Sequence, residues 1–255
     1  MSRIHHFIHI KHLNLLYGRV PKVANTSIKA VLCRLLPEKP NQGIKTTSDR
    51  FWRDYTHQQT ELLSPGQARK LRSTHYSFSF VRNPFDRLVA AYNNKVIEIE
   101  EPPLPMQRMG ISHGMSFEDF MDALCKAPAE SYDVHLMPQS QILCFGEHLV
   151  PKFIGRMEQM NDHWGILRRR MKRDGIKIAK ELPEKNVRRG GARSSLRSYF
   201  SSTQLIDGFL TIYGRDLELF YSKYSIDQLI DNEIPNNERP IRGRHADADA
   251  SVEQG

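Results

Sequence analysis

The sequence predicts an α/β fold in which a central parallel β-sheet is flanked by helices. Two stretches indicate this fold, residues 13–32 and residues 75–95, because in each a short apolar strand runs directly into a helix with an apolar face. A third strand is predicted within residues 149–158 and is followed by a helix over residues 162–172. Ligands bind at the carboxyl ends of the strands in open sheets of this kind, so the two strand–helix junctions mark the predicted site.

The composition fits a globular protein and limits the class of partner. The chain has 255 residues, of which 39% are hydrophobic and 26% charged, so it is long enough for one large domain with a substantial core. We expect this domain to span residues 1–230, followed by a polar, disordered tail over residues 231–255. The net charge of +8 predicts an anionic partner, for which nucleic acid, an anionic nucleotide and an anionic glycan are all suitable.

Cysteine content and hydropathy predict the compartment. Cys33, Cys125 and Cys144 lie scattered, without the spacing of a disulfide framework or a zinc site, which fits a reducing, cytoplasmic environment. No run of about 18 apolar residues occurs, so we predict no integral membrane segment. The N-terminal residues include basic side chains but lack the continuous apolar stretch and small-residue cleavage site of a signal peptide.

The first strand–helix junction, residues 21–27, has the properties of a phosphate-binding loop. Its backbone N–H groups are expected to turn toward one point at the positive end of a helix dipole. Lys22 adds a positive charge, and Thr26 and Ser27 add hydroxyl donors. The loop is not a Walker A sequence, because it contains no glycine and its lysine stands near its start. An ordinary strand–helix connection is the alternative interpretation.

The second junction places an arginine at the end of a strand. Aromatic residues alternate with serines over residues 76–80, which is typical of a β-strand. Arg82 follows this strand, and Pro84 suits the first turn of the next helix. Because both strands are expected to end at the same edge of the sheet, Lys22 and Arg82 should converge. A solvated surface arginine is the alternative for Arg82.

The rest of the chain predicts further helices and loops. Serine caps indicate helices that begin after Ser64 and Ser116, and apolar spacing indicates a long helix within residues 203–224. The other predicted elements are a loop with a little helix over residues 51–63, a loop over residues 98–114, and a short strand at residues 142–144.

Four histidines near the N-terminus raise the question of a metal site. They are His5, His6, His9 and His12. No neighbouring carboxylate or cysteine completes a ligand set, so we interpret this segment as a mobile terminus and predict no metal.

Both junctions resemble motifs of sulfotransferases, in particular the Golgi-type carbohydrate family of the chondroitin/HNK-1 type, which is sulfotransferase family 2. Residues 21–29, PKVANTSIK, resemble the loop of that family that binds the 5′-phosphosulfate. Residues 82–88 resemble its 3′-phosphate motif, with Asn83 in place of the usual acid. Ala90 stands where the family has a serine that bonds the 3′-phosphate.

Later stretches extend the resemblance, which covers roughly residues 13–224. Residues 133–139, DVHLMPQ, are similar to the family pattern Asp-x-His-Trp-x-Pro-Gln, although Leu136 replaces the tryptophan. Residues 153–160 resemble a family strand that ends near the nucleotide. Golgi members carry an N-terminal signal anchor that this sequence lacks, so we expect a soluble bacterial member or an excised catalytic domain.

The resemblance implies a P-loop-like nucleotide-binding fold and a reaction. The reaction is transfer of a sulfuryl group from 3′-phosphoadenosine 5′-phosphosulfate (PAPS) to a hydroxyl of a carbohydrate acceptor, without a metal. Lys22 would neutralise the 5′-phosphate leaving group, and Arg82 would bind the 3′-phosphate. The residues implied to contact PAPS are Lys22, Val23, Ala24, Asn25, Thr26, Ser27, Arg82, Ala90, Arg188 and Arg189. The last two belong to a basic loop, residues 185–194, for which a disordered connector is the alternative.

The catalytic base implied by the resemblance is His135, and Glu158 is the reserve candidate. A histidine suits the role because an imidazole can accept a proton near neutral pH. Two other classes of function stay open: a kinase-like phosphotransferase on the same sheet, and a non-catalytic basic module that binds glycan or nucleic acid. The missing Walker A sequence counts against the first, and the distance in sequence between the arginine runs and the aromatic strand counts against the second. We therefore predict no nucleic-acid partner.

Overall fold

The computed structural model of the protein describes residues 5–183, 195–235 and 238–243. The strands in these ranges are β1 (Phe7–Ile10), β2 (Leu15–Gly18), β3 (Thr60–Leu63), β4 (Tyr76–Val81), β5 (Cys144–Phe145), β6 (His148–Leu149), β7 (Phe153–Arg156) and β8 (Ile241–Arg242). The helices are α1 (Asn25–Cys33), α2 (Asp49–Asp54), α3 (Pro65–Leu71), α4 (Pro84–Tyr92), α5 (Leu104–Arg108), α6 (Phe117–Lys126), α7 (Gln139–Leu143), α8 (Met160–Arg173), α9 (Leu196–Tyr199), α10 (Thr203–Tyr221) and α11 (Ile226–Ile230). Six strands form one sheet in the order β3, β1, β2, β4, β7, β8, and β5 pairs with β6.

The α/β fold is confirmed, but the sheet is mixed rather than parallel throughout. β2, β4 and β7 run parallel to one another, as predicted. β1 is antiparallel to both β2 and β3, and β8 is antiparallel to β7. The connection from β1 to β2 is one short helical turn, Lys11–Leu13, which ends at Asn14 in a left-handed conformation. So short a connection can join only antiparallel strands, because a parallel pair needs a longer crossover.

The histidine-rich N-terminal segment is not a mobile terminus. All four residues of β1 are buried, and this strand lies inside the sheet between β3 and β2. The two ring nitrogens of His9 lie 2.7 Å from Glu61 Oε1 and 3.0 Å from His75 Nε2. His9 is therefore a core residue with hydrogen-bond partners. Within the part of the chain that the structure describes, no group of three His, Cys, Asp or Glu side chains is arranged to hold a metal ion.

The predicted serine caps are confirmed. Ser64 Oγ accepts a hydrogen bond from the Gln67 backbone N–H at 3.3 Å, and the Gln67 side chain accepts one from the Ser64 N–H at 2.9 Å. This reciprocal pair is a capping box. Ser116 Oγ accepts from the Asp119 N–H at 3.1 Å and starts α6. The long helix predicted in residues 203–224 is α10.

Other predictions were wrong in whole or in part. Residues 51–63 contain the short helix that was predicted, as most of α2, but also the whole of β3, which pairs with β1 and was missed. Residues 98–114, predicted as a loop, contain α5. Residues 142–144 are mainly the end of a helix, α7, rather than a strand. The buried carboxylate of Asp216 accepts the first two backbone N–H groups of α7, each at 2.7 Å, so a residue distant in the sequence supplies the start of this helix.

The predicted polar tail is partly within the described residues. There β8 extends the sheet beyond residue 230, with Ile241 opposite Ile154 of β7. Residues 244–255 lie outside the described part, and the division at residue 230 stays a prediction. Among the helices of the described residues, none combines the length and the apolar character needed to cross a membrane.

An aromatic cluster fixes the helix that follows β4. The Phe85 ring stacks on Phe209 of α10, with centroids 3.9 Å apart, and meets Phe200 edge-on at 4.8 Å. Within the sheet, Phe80 packs against Gly155 so closely that a Cβ at residue 155 would lie 2.2 Å from its ring. These contacts join α4 to α10 and β4 to β7, and Arg82 follows the end of β4.

Candidate active site

The junction between β2 and α1 presents backbone N–H groups without a side-chain cap. Lys22 and Ala24 adopt φ angles of 67° and 45°, in the left-handed region that residues with a Cβ rarely enter. Ala24 occupies the N-cap position, and an alanine has no side-chain oxygen to accept the first N–H groups of α1. The positive end of the α1 dipole lies at the same place. This arrangement suits an anion, such as a phosphate.

The predicted loop residues differ in exposure. Val23 and Ser27 are buried, whereas Asn25 and Thr26 are half-buried. Asn25 Oδ1 accepts a hydrogen bond from the Tyr17 hydroxyl at 3.3 Å, which ties the start of α1 to β2. Val23 anchors the loop in the core. The predicted contacts Arg188 and Arg189 lie outside the described residues.

The junction between β4 and α4 brings Arg82 to the first junction. The Arg82 Nη1 group donates to the backbone carbonyl of Lys22 at 3.1 Å. Arg82 Nε and Nη2 lie 2.8 and 2.7 Å from Asp86 Oδ2. Only 9% of the Arg82 side chain is exposed. These three contacts, all within the described part of the chain, use three of the five N–H groups of the guanidinium and leave two for a ligand.

The turn that follows α4 carries a partner of the Lys22 side chain. Lys22 Nζ donates to Asn94 Oδ1 at 3.0 Å. Asn94 lies four residues beyond the half-buried Ala90, and residues at this spacing are neighbours on a helical surface. The sequence interpretation missed Asn94. Its signal was the polar pair Asn93 and Asn94, directly after an apolar helix.

Arg87 joins the two segments that carry the predicted catalytic residues. It is 1% exposed, and its Nε donates to the Pro21 carbonyl at 3.1 Å and its Nη2 to the Val134 carbonyl at 3.4 Å. Burial lowers the pKa of this guanidinium. Pro21 precedes Lys22 and Val134 precedes His135, so one buried cation holds both segments. The sequence interpretation assigned Arg87 no role of its own, although a charged residue between Phe85 and Leu88 on an apolar helix was a detectable signal.

His135 is held by a carboxylate. Its Nδ1 lies 2.7 Å from Asp133 Oδ1, which also accepts the His135 backbone N–H at 2.9 Å. Burial pushes the pKa of Asp133 up, but the hydrogen bonds from His135 outweigh burial and hold this pKa below its ordinary value. An ionised carboxylate only accepts, so a neutral His135 carries its proton on Nδ1 and leaves Nε2 unprotonated. The His135 side chain is 27% exposed, which lets Nε2 accept a proton from a bound molecule.

Glu158, the reserve base, braces the second junction. Its two carboxylate oxygens accept hydrogen bonds from the Asn83 backbone N–H and, at 3.1 Å, from the Tyr221 hydroxyl. Burial raises the pKa of Glu158. The amide of Gln139 adds to the brace, since it bonds both the N–H and the carbonyl of Arg82, at 3.0 and 2.8 Å. Glu158 therefore holds the backbone next to Arg82 in position.

Comparison with known proteins assigns the family. The profile of the sulfotransferase family matches residues 5–223. This match covers both junctions, the Asp133–His135 pair and the three parallel strands of the sheet. No curated protein and no solved structure matched the sequence. Because the matched region is most of the chain, and the sheet and junctions fit it, the chain belongs to the sulfotransferase family.

Proposed function

We propose that this protein transfers a sulfuryl group from PAPS to a hydroxyl of a carbohydrate acceptor. Sulfuryl transfer is the general chemistry of the family, and the donor and the acceptor class are the specific parts of the proposal. One observation carries it: Lys22 stands at the uncapped start of α1, and Arg87 holds its segment together with the segment of His135. Sulfuryl transfer to a hydroxyl needs a positive charge that stabilises the leaving phosphate and a base that accepts the proton of the hydroxyl.

The residues of the two junctions fit the donor. When bound, PAPS would supply the activated sulfuryl group and leave as adenosine 3′,5′-bisphosphate. The uncapped N–H groups of α1 suit its 5′-phosphate, and Lys22 adds a cation there. Two N–H groups of Arg82 suit its 3′-phosphate, where Ala90 contributes no hydroxyl. The residues proposed to hold the donor are Lys22, Val23, Ala24, Asn25, Thr26, Ser27, Arg82 and Ala90, with Arg188 and Arg189 added from the sequence alone.

Lys22 would stabilise the negative charge that develops on the leaving phosphate. In such transfers the protein mainly positions the reacting groups and stabilises spreading charge. A preorganised donor of this kind contributes about 2.7–4 kcal/mol. The backbone of Lys22 is fixed by Arg82 and its ammonium by Asn94, so the charge is positioned before the reaction begins.

His135 would take the proton from the acceptor hydroxyl. Asp133 fixes the imidazole and its tautomer, as the aspartate does in a catalytic triad. Proton removal by a positioned base accelerates a reaction roughly 10²- to 10⁴-fold. Glu158 is the second candidate, but its oxygens already accept bonds from Asn83 and Tyr221.

The two rival functions have less support. A kinase needs carboxylates for magnesium near the phosphates. The carboxylates beside the second junction, Asp86 and Glu158, instead bond Arg82 and Asn83. A non-catalytic glycan-binding or nucleic-acid-binding module has no use for the oriented His135. The carbohydrate acceptor rests on the resemblance to Golgi-type enzymes and on the net charge of +8, which suits an anionic glycan.

The proposal is tested first by binding and then by transfer. Isothermal titration should show tight binding of adenosine 3′,5′-bisphosphate and weaker binding of adenosine 5′-phosphate, because only the former has the 3′-phosphate that Arg82 would bind. Transfer of radioactive sulfur from labelled PAPS is then measured on a panel of desulfated polysaccharides. A protein that binds neither nucleotide, or that transfers phosphate from ATP instead, contradicts the proposal.

The base is tested by the pH dependence of a single turnover with prebound donor. Wild type should lose activity at acid pH, where the base is protonated. His135→Ala should be about 10²- to 10⁴-fold slower and should lack this acid limb. His113→Ala is the matched control, because His113 is exposed and bonds only the Ile99 carbonyl among the described contacts. If His135→Ala keeps both rate and limb, the base is another residue and Glu158 is mutated next.

A further inference from the structure

Three side chains form a hydrogen-bonded series that ends at Lys22. Lys22 Nζ donates to Asn94 Oδ1 at 3.0 Å, and Asn94 Nδ2 donates to Glu98 Oε2 at 3.1 Å. Asn94 is half-buried, whereas Glu98 is exposed. The series therefore runs from the surface to the ammonium group of the first junction.

The chemistry of the three groups fixes the direction of the series. A lysine ammonium can only donate, and an ionised carboxylate can only accept. The Asn94 amide lies between them and has both a donor, its NH₂ group, and an acceptor, its carbonyl oxygen. Its NH₂ must face Glu98, so its carbonyl oxygen faces Lys22. Lys22 and Glu98 thus both require the same orientation of the Asn94 amide, and the bond to Glu98 holds the amide in place.

The backbone after α4 brings Asn94 to this place. Residues Asn93–Ile97 form a π-helical turn, closed by a hydrogen bond from the Glu98 N–H to the Asn93 carbonyl at 3.0 Å. Turns of this kind are rare and often occur at functional sites. The neighbouring side chain of Asn93 has a different partner, since its Oδ1 accepts from the Tyr199 hydroxyl at 3.2 Å. The two asparagines share one turn but contact different groups.

We infer that Asn94 is a positioning residue that orients the Lys22 ammonium, and that the hydrogen bond to Glu98 anchors the Asn94 side chain for this task. The inference rests on the proposed function, in which Lys22 acts on the leaving phosphate. A neutral amide suits this task, because it holds a flexible lysine in place without forming an ion pair. A carboxylate at the same position would compete with the phosphate for the lysine charge.

The first test compares Asn94→Ala with Asn93→Ala, which removes the same side chain from the same turn. Asn94→Ala should lower the single-turnover rate of sulfuryl transfer about 10- to 100-fold, the scale for a misplaced reacting group. Its affinity for adenosine 3′,5′-bisphosphate should change by less than about threefold, because the backbone contacts remain. Asn93→Ala should stay within about threefold of wild type in both measurements.

Two conservative variants separate orientation from charge. Asn94→Asp keeps an acceptor but adds a negative charge, so it should weaken binding of adenosine 3′,5′-bisphosphate about tenfold. Glu98→Gln replaces the charged acceptor of the Asn94 NH₂ group by a neutral one, which weakens this hydrogen bond, so the variant should slow the turnover by about two- to fivefold. A slow Asn94→Ala whose nucleotide affinity falls as much as its rate would assign Asn94 to binding and overturn the inference.

A readout without catalysis keeps this inference separate from the proposed function. The rate of Lys22 acetylation by acetic anhydride, measured on the Lys22 peptide by mass spectrometry, should rise in Asn94→Ala and not in Asn93→Ala. Equal acetylation and equal turnover in the two variants would overturn the inference. Faster acetylation in Asn94→Ala, in a protein that transfers no sulfuryl group, would support the contact and refute the proposed function.

Discussion

Two strand–helix junctions lie side by side at the centre of the sheet, one between β2 and α1 and the other between β4 and α4. At the first, Ala24 precedes the helix and provides no capping side chain. At the second, Asn83 Oδ1 caps the helix by accepting the Phe85 N–H at 3.2 Å, and Pro84 occupies the first turn. The same topology thus produces one junction with N–H groups left for a ligand and one that the protein satisfies itself.

The second junction also supports the backbone of the first. A left-handed residue with a Cβ costs about 1–2 kcal/mol, and Lys22 and Ala24 both adopt this conformation. The carbonyls of Lys22 and Pro21 accept hydrogen bonds from Arg82 and Arg87, which both follow β4. Strained backbone persists where its surroundings determine it strongly, and such strain concentrates at functional sites. The second junction, which we call the braced junction, therefore holds the backbone of the first, uncapped one, the open junction.

The largest effect is expected from replacing Lys22 at the open junction. Lys22→Ala should lose about 2.7–4 kcal/mol of transition-state stabilisation, because the positioned cation is gone. Its thermal unfolding should stay near that of wild type, since the loop is held by backbone contacts to Arg82 and Arg87. Single-turnover kinetics and a melting curve measure both quantities. The control is Lys39→Ala at an exposed position, and near-wild-type turnover in Lys22→Ala would remove Lys22 from the reaction.

The next largest effect is expected at Arg82 and tests whether this residue binds the nucleotide in addition to supporting the Lys22 carbonyl. Arg82→Lys cannot reproduce the forked contact, so binding of adenosine 3′,5′-bisphosphate should weaken about 30-fold, or about 2 kcal/mol. Binding of adenosine 5′-phosphate should weaken much less. Asp86→Asn, which removes the competing carboxylate, should tighten binding of the bisphosphate. Titration calorimetry measures these affinities, and equal losses for both nucleotides in Arg82→Lys would restrict Arg82 to the brace.

A smaller effect, on stability, is expected when an asparagine is replaced at each of the two junctions. Asn83→Ala removes the cap of α4 and the bond from Asn83 Nδ2 to the Leu229 carbonyl, which measures 2.7 Å. It should lower the free energy of unfolding by about 1.5 kcal/mol. Among the contacts of the described residues, Asn25→Ala loses the 3.3 Å bond from the Tyr17 hydroxyl, so it should stay within about 0.5 kcal/mol of wild type. Urea titration ranks the two variants, and the reverse ranking would contradict the distinction between a braced and an open junction.

The smallest effect is expected on stability at Asp133, which lies in the segment that Arg87 joins to the open junction. The pKa of Asp133 is lowered in the folded state, so its ionised form adds stability above the unfolded pKa of about 3.9, and this stability is lost as pH falls through the folded pKa. Asp133→Asn should therefore be about 1 kcal/mol less stable than wild type at pH 7. The difference should shrink as the solution is made acidic, because the amide of the variant does not titrate.

Urea midpoints measured from pH 7 to pH 3 test this last prediction. The control is Asp122→Asn, at an exposed position where the side chain pairs only with Lys126 in the described structure. A stability difference for Asp133→Asn that stays constant with pH would show that the Asp133 carboxylate does not gain stability from ionisation.

Features that depend on neighbours in the chain were predictable from the sequence. Alternating aromatic residues marked β4, and serines marked the starts of α3 and α6, because caps and strand periodicity depend on neighbours in the chain. The positions of Lys22 and Arg82 after their strands also followed from sequence order, since parallel strands end at one edge.

The edges of the sheet and the partners of the site residues depend on contacts between distant segments, so they became visible in the folded structure. β1 was missed because His9 is accommodated inside the sheet by hydrogen bonds to Glu61 and His75, which lie more than 50 positions further along the chain. α7 was misread because Asp216, far along the chain, supplies its cap. Asn94 meets Lys22 across 72 positions of sequence. Such contacts form between segments that only the fold brings together, so no local pattern could encode them.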